Sequence, residues 1–315
     1  MNNIIFIINT VSPIFLIVIL GWVLRKIDVI NEEFIKQSIK FVFHVPLPIL
    51  VFLKLATVDF NKLFDGKIII IVYGCMLIIF FLGWILSKAL IKRGEGRGVF
   101  IQGGFWPNNV IIGLALVMNI FGEDAVSKMV MILIFLIPLD YMLSVIALTI
   151  SDRKEKRSKA MLDMIKSIAL NPVIIAAIFA IVFSLIRFPI PNALINTGNY
   201  LAAITLPLAL IGLGGTLKIK LLKNTSFITL GALIIKLLIS PMLAITVGYF
   251  IGYTDIDLGI LFIIFACPTA IISFVLADAM TPHGEIAGNI VLTTTLASAI
   301  TIPLGLMILT YMNLI

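Results

Sequence analysis

The chain is a succession of long apolar segments separated by short polar ones. The apolar segments reach about twenty residues without strict alternation, which favours membrane-spanning helices over the short alternating strands of an outer-membrane barrel. Charged residues delimit ten such segments, which we call spans one to ten. They cover approximately residues 5–24, 34–56, 67–91, 98–120, 125–150, 165–186, 193–217, 226–252, 256–279 and 284–312. The pattern predicts an all-α membrane protein with ten transmembrane helices.

The composition leaves little room for anything besides these segments. Of 315 residues, 61% are hydrophobic, or about 190, and 12% are charged, whereas a soluble domain carries roughly 25% charged residues. At roughly 20 residues for each membrane-spanning helix, that amount supplies about nine to ten spans. These proportions exclude a soluble enzyme, a large extracellular domain and a cytoplasmic nucleotide-binding domain.

The Lys and Arg residues lie mostly in the loops that follow the odd-numbered spans. The central loop, residues 151–164, is the most hydrophilic segment and carries Arg153, Lys154, Lys156 and Arg157. By the positive-inside rule, this distribution predicts a multi-pass protein of the plasma (inner) membrane with a cytoplasmic central loop and both termini outside. It also accounts for the net charge of +7, so we expect no nucleic-acid partner. The first span has no basic region before it, so we expect it to be retained rather than cleaved as a signal peptide.

Eight of the 13 prolines mark an internal duplication. Their separations are 33, 61 and 31 residues in the first half and 35, 61 and 35 in the second. These prolines are Pro13, Pro46, Pro107 and Pro138, followed by Pro172, Pro207, Pro268 and Pro303. Because each half contains five spans, an odd number, the second half must enter the membrane from the opposite side. The sequence therefore predicts two five-helix repeats of inverted orientation, residues 1–150 and 165–315, a construction common in secondary transporters.

The fourth span of each half combines its proline with polar residues. Proline removes a backbone donor and clashes with the preceding turn, so the helix kinks or breaks there. Two breaks would bring four half-helix ends together, with amino ends that attract an anion and unwound carbonyls that can hold a cation. The residues that we predict to bind substrate at these breaks are Pro107, Asn108, Asn109, Pro268, Thr269 and Ser273. The alternative is that each proline only kinks its helix.

Among the ionisable residues within the predicted spans, we single out His44, Asp140 and Lys236, which lie away from the span ends. Charged side chains are costly inside a membrane, so these three are candidates for ion coupling or charge compensation. Asp140 can take up a proton or help to hold a cation, and Lys236 can take up a proton or face a carboxylate substrate. Alternatively, the two residues form a static ion pair, or Lys236 extends toward the membrane interface. The alternative for His44 is a packed, hydrogen-bonded side chain.

The sequence lacks signatures of enzymes and of metal or cofactor sites. It contains no P-loop, no H-E-x-x-H pair and no G-x-S-x-G elbow. Cys75 and Cys267 both lie in apolar stretches, and with only two histidines they do not build a four-ligand metal site. We therefore expect no enzyme activity, no cofactor and no metal. The glycine-rich segment 212–215 lies inside a span and favours close helix packing over a dinucleotide-binding loop.

Several stretches resemble the auxin efflux carrier family, in order along the whole chain. In the first half they are PIFL at 13–16 with GWVLRK at 21–26, FVFHVPLP at 41–48, a pattern also seen in the plant PIN proteins, and NNVIIGL at 108–114. In the second half they are NP at 171–172, KLL at 236–238 with Pro241, and PTA at 268–270 with SFVLA at 273–277. The chain departs from the family pattern at Ala115, where the family has proline, and at Ile272, where it often has asparagine. The short central loop is similar to that of prokaryotic members.

The resemblance implies a ten-helix inverted-repeat fold like that of the bile-acid/sodium symporters, with broken crossover helices four and nine. Helices one, two, six and seven would form a scaffold within a homodimer, and helices three to five and eight to ten a mobile transport unit. On that mapping Asp140 and Lys236 belong to the transport unit, and His44 belongs to the scaffold that faces it. The substrates of the family are organic anions, which are auxin in plants and dicarboxylates such as malate or malonate among those suggested for bacterial members.

These observations predict a secondary active transporter that moves a small organic anion, auxin-like or dicarboxylate, across the lipid bilayer by elevator-type alternating access. The sequence leaves open the substrate, the direction of transport and whether the coupling ion is H⁺ or Na⁺. The competing hypotheses are a passive anion channel and a membrane-embedded receptor that binds a ligand without translocating it. A channel needs a continuous polar path, and these spans have few polar faces.

Overall fold

The computed structural model describes residues 2–59, 63–151, 162, 165–166, 168–217, 219 and 225–315. These residues form an all-helical structure. Among them there is no β-strand, and there is one isolated β-bridge. Two of the helical turns are π-helical, at Asn109–Gly113 and Ile235–Ile239. The helices are α1 (Asn2–Lys26), α2 (Glu32–His44), α3 (Pro46–Ala56), α4 (Gly66–Leu90), α5 (Arg97–Phe105), α6 (Asn109–Phe121), α7 (Glu123–Ser151), α8 (Pro172–Leu185), α9 (Asn192–Thr216), α10 (Phe227–Ile251), α11 (Asp255–Ala266), α12 (Ile271–Met280) and α13 (Gly284–Tyr311).

Seven segments of the described chain are long and apolar enough to cross a membrane as helices. They are Ile7–Lys26, Glu32–Ala56, Gly66–Leu90, Glu123–Thr149, Asn192–Thr216, Phe227–Ile251 and Gly284–Tyr311. Large apolar side chains cover much of the outer surface, as in α4 and α10, where Ile70 and Phe250 are 73% and 81% exposed. Such a surface is unfavourable in water and suits a lipid environment. The predicted all-α class and the multi-span membrane protein are thus confirmed.

Span two, predicted as one segment, is divided in the structure. α2 ends at His44 and α3 begins at Pro46, with Val45 between them at φ −127° and ψ −74°. Proline has no N–H to continue the helix and restricts the residue before it, which explains the division. Most of the predicted central loop, including Arg153, Lys154, Lys156 and Arg157, lies outside the described residues.

Other prolines do not interrupt their helices. Pro13, Pro138, Pro207 and Pro303 lie inside continuous α-helices. Pro172 instead occupies the first turn of α8, where its missing N–H removes no intrahelical hydrogen bond, and the side chain of Asn171 caps that turn. A proline therefore does not by itself decide whether a helix of this protein breaks.

The helices pack in two groups, each of which draws on both halves of the chain. The five-helix group contains α1, α2, α3, α8 and α9, which pack chiefly on one another. The eight-helix group contains α4 to α7 and α10 to α13. The two groups meet where α1 contacts α6 and α13 and where α3 contacts α7. Both sides of this boundary contribute to the cavity described below.

Glycines allow the closest contact within the five-helix group, between α1 and α9. A Cβ atom built on Gly21 would collide with the carbonyl oxygen of Ile211, and one built on Gly214 would collide with the carbonyl oxygen of Val18. The two backbones therefore touch directly, as small residues permit in membrane helices. The packing role predicted for the glycine-rich segment 212–215 is confirmed.

A side-chain hydrogen bond at one end of the eight-helix group joins the start of α4 to the loop between α10 and α11. The Asp65 carboxylate caps α4 by accepting hydrogen bonds from the backbone N–H groups of Lys67 and Ile68, at 2.9 and 3.4 Å. Its second oxygen accepts a hydrogen bond of 2.6 Å from the Tyr253 hydroxyl. Partial burial raises the pKa of the Asp65 carboxyl, but these hydrogen bonds outweigh that effect and hold the pKa below its usual value.

Candidate functional site: a cavity at two helix breaks

The breaks between α5 and α6 and between α11 and α12 lie against each other. Pro107 and Thr269 form an antiparallel β-bridge. The N–H of Asn108 donates to the carbonyl oxygen of Pro268 at 2.7 Å, and the N–H of Ala270 donates to the carbonyl oxygen of Trp106 at 3.1 Å. The backbone groups released by one break are thus partly satisfied by the other, as the interior of a membrane protein requires.

Thr269 supplies a donor that the proline in the opposite break lacks. In a continuous helix the carbonyl oxygen of Gly103 would accept from the N–H of the residue four positions later, which is Pro107 and has none. The Thr269 hydroxyl donates to this carbonyl oxygen instead, at 2.7 Å. The backbone N–H of Thr269 in turn donates to the hydroxyl of Thr294 on α13, at 3.1 Å. Thr269 is fully buried and holds the two breaks together.

Lys236 lies at the carboxyl ends of both interrupted helices. Its side chain is fully buried, and its Nζ lies 3.4 Å from the carbonyl oxygen of Phe105 and 3.2 Å from that of Phe265. Phe105 is the last residue of α5, and Phe265 is the last but one of α11. The final carbonyls of a helix have no intrahelical donor and carry the negative end of the helix dipole. The ammonium therefore satisfies and neutralises two such ends at once.

The opposite, amino ends of the breaks face a cavity of about 510 Å³. Asn109, Val110 and Ile111 of the first turn of α6 line it, and so do Ile271 and Ile272 of the first turn of α12. Neither turn has a side-chain cap. The first N–H groups of a helix have no intrahelical acceptor and carry a partial positive charge. Both turns therefore favour an anion in the cavity.

Two asparagine side chains in the cavity wall have polar atoms without a partner. Asn108 and Asn109 are 5% and 2% exposed. The Nδ2 atom of Asn108 and both the Nδ2 and Oδ1 atoms of Asn109 make no hydrogen bond within the described part of the chain. The same is true of Oδ1 of Asp140, a third buried residue of this wall. Because an unsatisfied buried polar group costs about 1–3 kcal/mol, these atoms mark a place for a polar ligand.

Apolar and aromatic side chains form most of the remaining wall, as in other sites for small organic molecules. The rings of Trp106 and Tyr141 meet edge to face, with centroids 5.1 Å apart and an interplanar angle of 67°. Phe43 and Val173 approach from the five-helix group. We did not predict Trp106 or Tyr141 from the sequence, although Trp106 adjoins Pro107 and Tyr141 follows a candidate residue directly.

The predicted site residues fall into two sets. Those that line the cavity are His44, Pro107, Asn108, Asn109 and Asp140. Those that do not line it are Pro268, Thr269, Ser273 and Lys236. In the second set the polar side chains bond to backbone carbonyls, as the Ser273 hydroxyl does at 2.6 Å to Ala270 in the first turn of α12. The structure thus separates residues that line the cavity from residues whose hydrogen bonds lie at the breaks.

The ionisable candidates are not in direct contact with one another in the described residues. Within the described residues Lys236 and Asp140 make no direct ion pair, because the Lys236 ammonium is directed to the two helix ends. His44 is exposed at the end of α2, with Nδ1 2.8 Å from the carbonyl oxygen of Lys40. It is therefore hydrogen-bonded but not packed in a core, and it lies in the cavity wall contributed by the five-helix group.

Comparisons with known proteins match this chain to membrane transporters. A family model described as membrane transport protein matches residues 6–306. An uncharacterized transporter of Methanocaldococcus jannaschii is 23% identical over 295 residues, which cover 91% of this chain and 94% of the relative. The uncharacterized transporter YfdV of Escherichia coli K12 is 22% identical over 309 residues, with 95% and 96% covered. A Rhizobium meliloti protein provisionally named a malonate transporter is 24% identical over 299 residues, with 93% and 92% covered.

Proposed function

Since this chain belongs to the membrane transport protein family, the auxin efflux carriers, we propose that it is a secondary active transporter that carries a small organic anion across the plasma membrane. The observation that carries the proposal is one cavity in which two uncapped helix amino ends meet the unpaired amides of Asn108 and Asn109. Amide donors and helix amino ends are the groups that bind a carboxylate in other proteins. The name of the Rhizobium meliloti relative refers to a carboxylate substrate and supports this class.

The charge distribution around the breaks favours an anion on the cavity side. Lys236 neutralises the carboxyl ends of α5 and α11, whereas the amino ends of α6 and α12 are left without a side-chain cap. A carboxylate placed at these amino ends would accept from backbone N–H groups and from the amides of Asn108 and Asn109. The apolar wall would receive the rest of the molecule.

Asp140 connects anion binding to a proton. Its carboxyl group lies in the same cavity wall as the two asparagines. Two negative charges in a site of low dielectric repel each other strongly, so binding of a carboxylate and binding of a proton at Asp140 favour each other. We propose that transport is coupled to protons through this side chain.

The two helix groups suggest how the site would move. We propose that the chain forms ten spans in two inverted repeats, in which α5–α6 and α11–α12 are the broken fourth helices. The five-helix group would be the scaffold of a homodimer, and the eight-helix group, which contains both breaks, would carry the anion in an elevator-type motion. His44 would face the moving site from the scaffold.

Uptake into proteoliposomes tests the proposed function. We expect saturable uptake of a carboxylate with counterflow, in which unlabelled substrate inside drives labelled substrate inward. Asn108→Ala should reduce this uptake by at least about tenfold, because it removes a side chain that in a charge-assisted hydrogen bond contributes about 1.5–3 kcal/mol. Asn196→Ala, on the exposed surface of α9, is the matched control and should keep full activity.

The same measurements identify the competing functions. Bulk conduction without counterflow would show a channel, and saturable binding without uptake would show a receptor. Undiminished transport by a folded Asn108→Ala protein would contradict the assignment of the site.

A further inference from the structure

We infer that Lys236 is the built-in cation of the proposed transport unit: its ammonium occupies the position between the carboxyl ends of α5 and α11 where a coupling sodium ion would have to bind. The position of the ammonium follows from the geometry alone. Its consequence for transport rests on the proposed function. The carbonyl oxygens of Phe105 and Phe265, which belong to helices of different halves, converge on the same nitrogen atom at 3.4 and 3.2 Å.

The oxygen atoms at the breaks do not fit a sodium ion in addition to this ammonium. Broken membrane helices can coordinate Na⁺ through unwound carbonyls and helix carboxyl ends. Here the carbonyl oxygen of Gly103 accepts from the Thr269 hydroxyl, that of Trp106 accepts from the N–H of Ala270, and that of Pro268 accepts from the N–H of Asn108. These three carbonyls of the junction are thus already bonded to protein donors.

Charge gives a second argument against a sodium ion at this position. Lys236 is fully buried and belongs to the π-helical turn of α10, so its ammonium is out of contact with water. At a separation of about 4 Å, two like charges repel each other strongly in a protein interior, because its dielectric constant is far below that of water. A sodium ion at the break would meet this repulsion in addition to the shortage of oxygen ligands.

The π-helical turn places the lysine where it can reach both ends. The turn Ile235–Ile239 inserts one extra residue into α10, and such turns are often found at functional sites. Ile235 on one side of Lys236 packs against Gly104 of α5, where a Cβ atom would lie 3.1 Å from the Ile235 side chain. The ammonium is therefore held at the junction by the packing of α10 against α5.

A fixed ammonium has a consequence that differs from that of a bound ion. Because Lys236 is covalently part of α10, the positive charge stays with the eight-helix group whether or not sodium is present. Transport should therefore not require Na⁺, and the proton at Asp140 remains as the coupling ion of the proposed mechanism.

Exchange of sodium for choline at constant ionic strength tests the inference. We expect the thermal midpoint and the substrate uptake of the wild-type protein to be the same in both salts, within about twofold for uptake. Lys236→Ser removes the ammonium, leaves space and adds one oxygen, so sodium should now bind at the vacated carbonyls. The thermal midpoint of this variant should then be higher by about 2 °C or more in sodium than in choline.

Lys40→Ser, an exposed lysine of α2, is the matched control and should respond to neither salt. Sodium-dependent uptake or stabilisation of the wild-type protein would overturn the inference, and so would a folded Lys236→Ser protein that does not distinguish sodium from choline. If Lys236→Ser does not fold, the comparison of salts on the wild-type protein still decides. The thermal midpoints need no substrate, so they decide on Lys236 even if no anion is transported and the proposed function fails.

Discussion

Replacing Thr269 by valine removes one hydroxyl group from the point where the two helix breaks touch. The two side chains have nearly the same shape. The hydrogen bond from the backbone N–H of Thr269 to the Thr294 hydroxyl does not involve the hydroxyl of Thr269. What changes is the carbonyl oxygen of Gly103, which loses the donor at 2.7 Å that replaces the missing N–H of Pro107. The substitution therefore isolates one hydrogen bond of the junction.

The expected loss of stability follows from the burial of that carbonyl group. Gly103 and Thr269 are both buried, so neither water nor lipid can supply a new donor. Leaving a buried acceptor unsatisfied costs about 1–3 kcal/mol, which lowers the equilibrium constant for folding by roughly 5- to 140-fold. Thr269→Ser keeps the hydroxyl and should cost less, since it loses only one methyl group, which corresponds to about 1 kcal/mol of packing.

Unfolding of the purified protein in mixed micelles by increasing amounts of denaturing detergent measures this difference. In a background in which Trp22 and Trp84 are replaced by phenylalanine, the fluorescence of Trp106, which adjoins the break, reports the local structure. Thr246→Val is the matched control, because its hydroxyl also donates to a backbone carbonyl, that of Met242 at 2.7 Å, but on the exposed face of α10. We expect the order of stability to be wild type and Thr246→Val, then Thr269→Ser, then Thr269→Val.

A Thr269→Val protein as stable as the wild type within about 0.3 kcal/mol would refute the reasoning, because the Gly103 carbonyl would then not depend on this hydroxyl. The same conclusion would follow if Thr269→Ser were as unstable as Thr269→Val. Either result would mean that packing, rather than the hydrogen bond from the Thr269 hydroxyl to the Gly103 carbonyl, holds the two breaks together.

Two further predictions concern parts of the fold outside the cavity. Gly214→Ala should destabilise the protein by about 1–3 kcal/mol, because its Cβ atom would collide with the backbone of Val18. Gly74→Ala is the control and should be neutral or slightly stabilising, because the space around its Cβ position is open. Equal thermal midpoints for the two variants would contradict this account of the contact between α1 and α9. The lowered pKa of Asp65 means that its pairing with Tyr253 stabilises the fold above the usual value of 3.8 and that this contribution is lost as the pH falls through the lower folded-state pKa. The difference in stability between the wild type and Tyr253→Phe should therefore be larger at about pH 6 than at about pH 3, and a difference independent of pH would exclude this pairing as its source.

The helical membrane fold could be predicted from the sequence because its cause is local. A run of about twenty apolar residues has to satisfy its own backbone groups in a membrane, and a helix does so within one segment. The family could also be recognised, since its motifs are contiguous stretches, and the match over residues 6–306 confirms it. Proline chemistry indicated a kink or a break at Pro107 and Pro268, where the helices are interrupted in the structure, but it did not indicate the division of span two at Val45.

The fate of each proline could not be predicted, because it depends on distant partners. Pro138 and Pro207 lie within continuous helices, whereas Pro107 lies in a break whose backbone groups pair with residues more than 150 positions away. A break is stable only where the released donors and acceptors find new partners, and no local pattern shows whether they do.

The polar residues of the candidate site show the same limit. The sequence identifies Asn108, Thr269 and Lys236 equally well as polar groups in apolar surroundings, and it does not distinguish their roles. In the structure, Asn108 lies in the cavity wall with an unpaired Nδ2 atom, whereas the side chains of the other two donate to backbone carbonyls at the breaks. Only the pairing of the two halves decides which polar group remains available to a ligand.

The sequence by itself thus determined the class of the protein and its helical segments, because hydrophobicity acts within a few residues, and it marked prolines at which a helix kinks or breaks. The tertiary structure decided which of these helices break and how their ends are paired. It joined the two breaks, directed their carboxyl ends to one lysine and left their amino ends open to a cavity. The physical reason is that unsatisfied backbone groups in a membrane have to be paired across the fold, and such pairs join residues far apart in the chain.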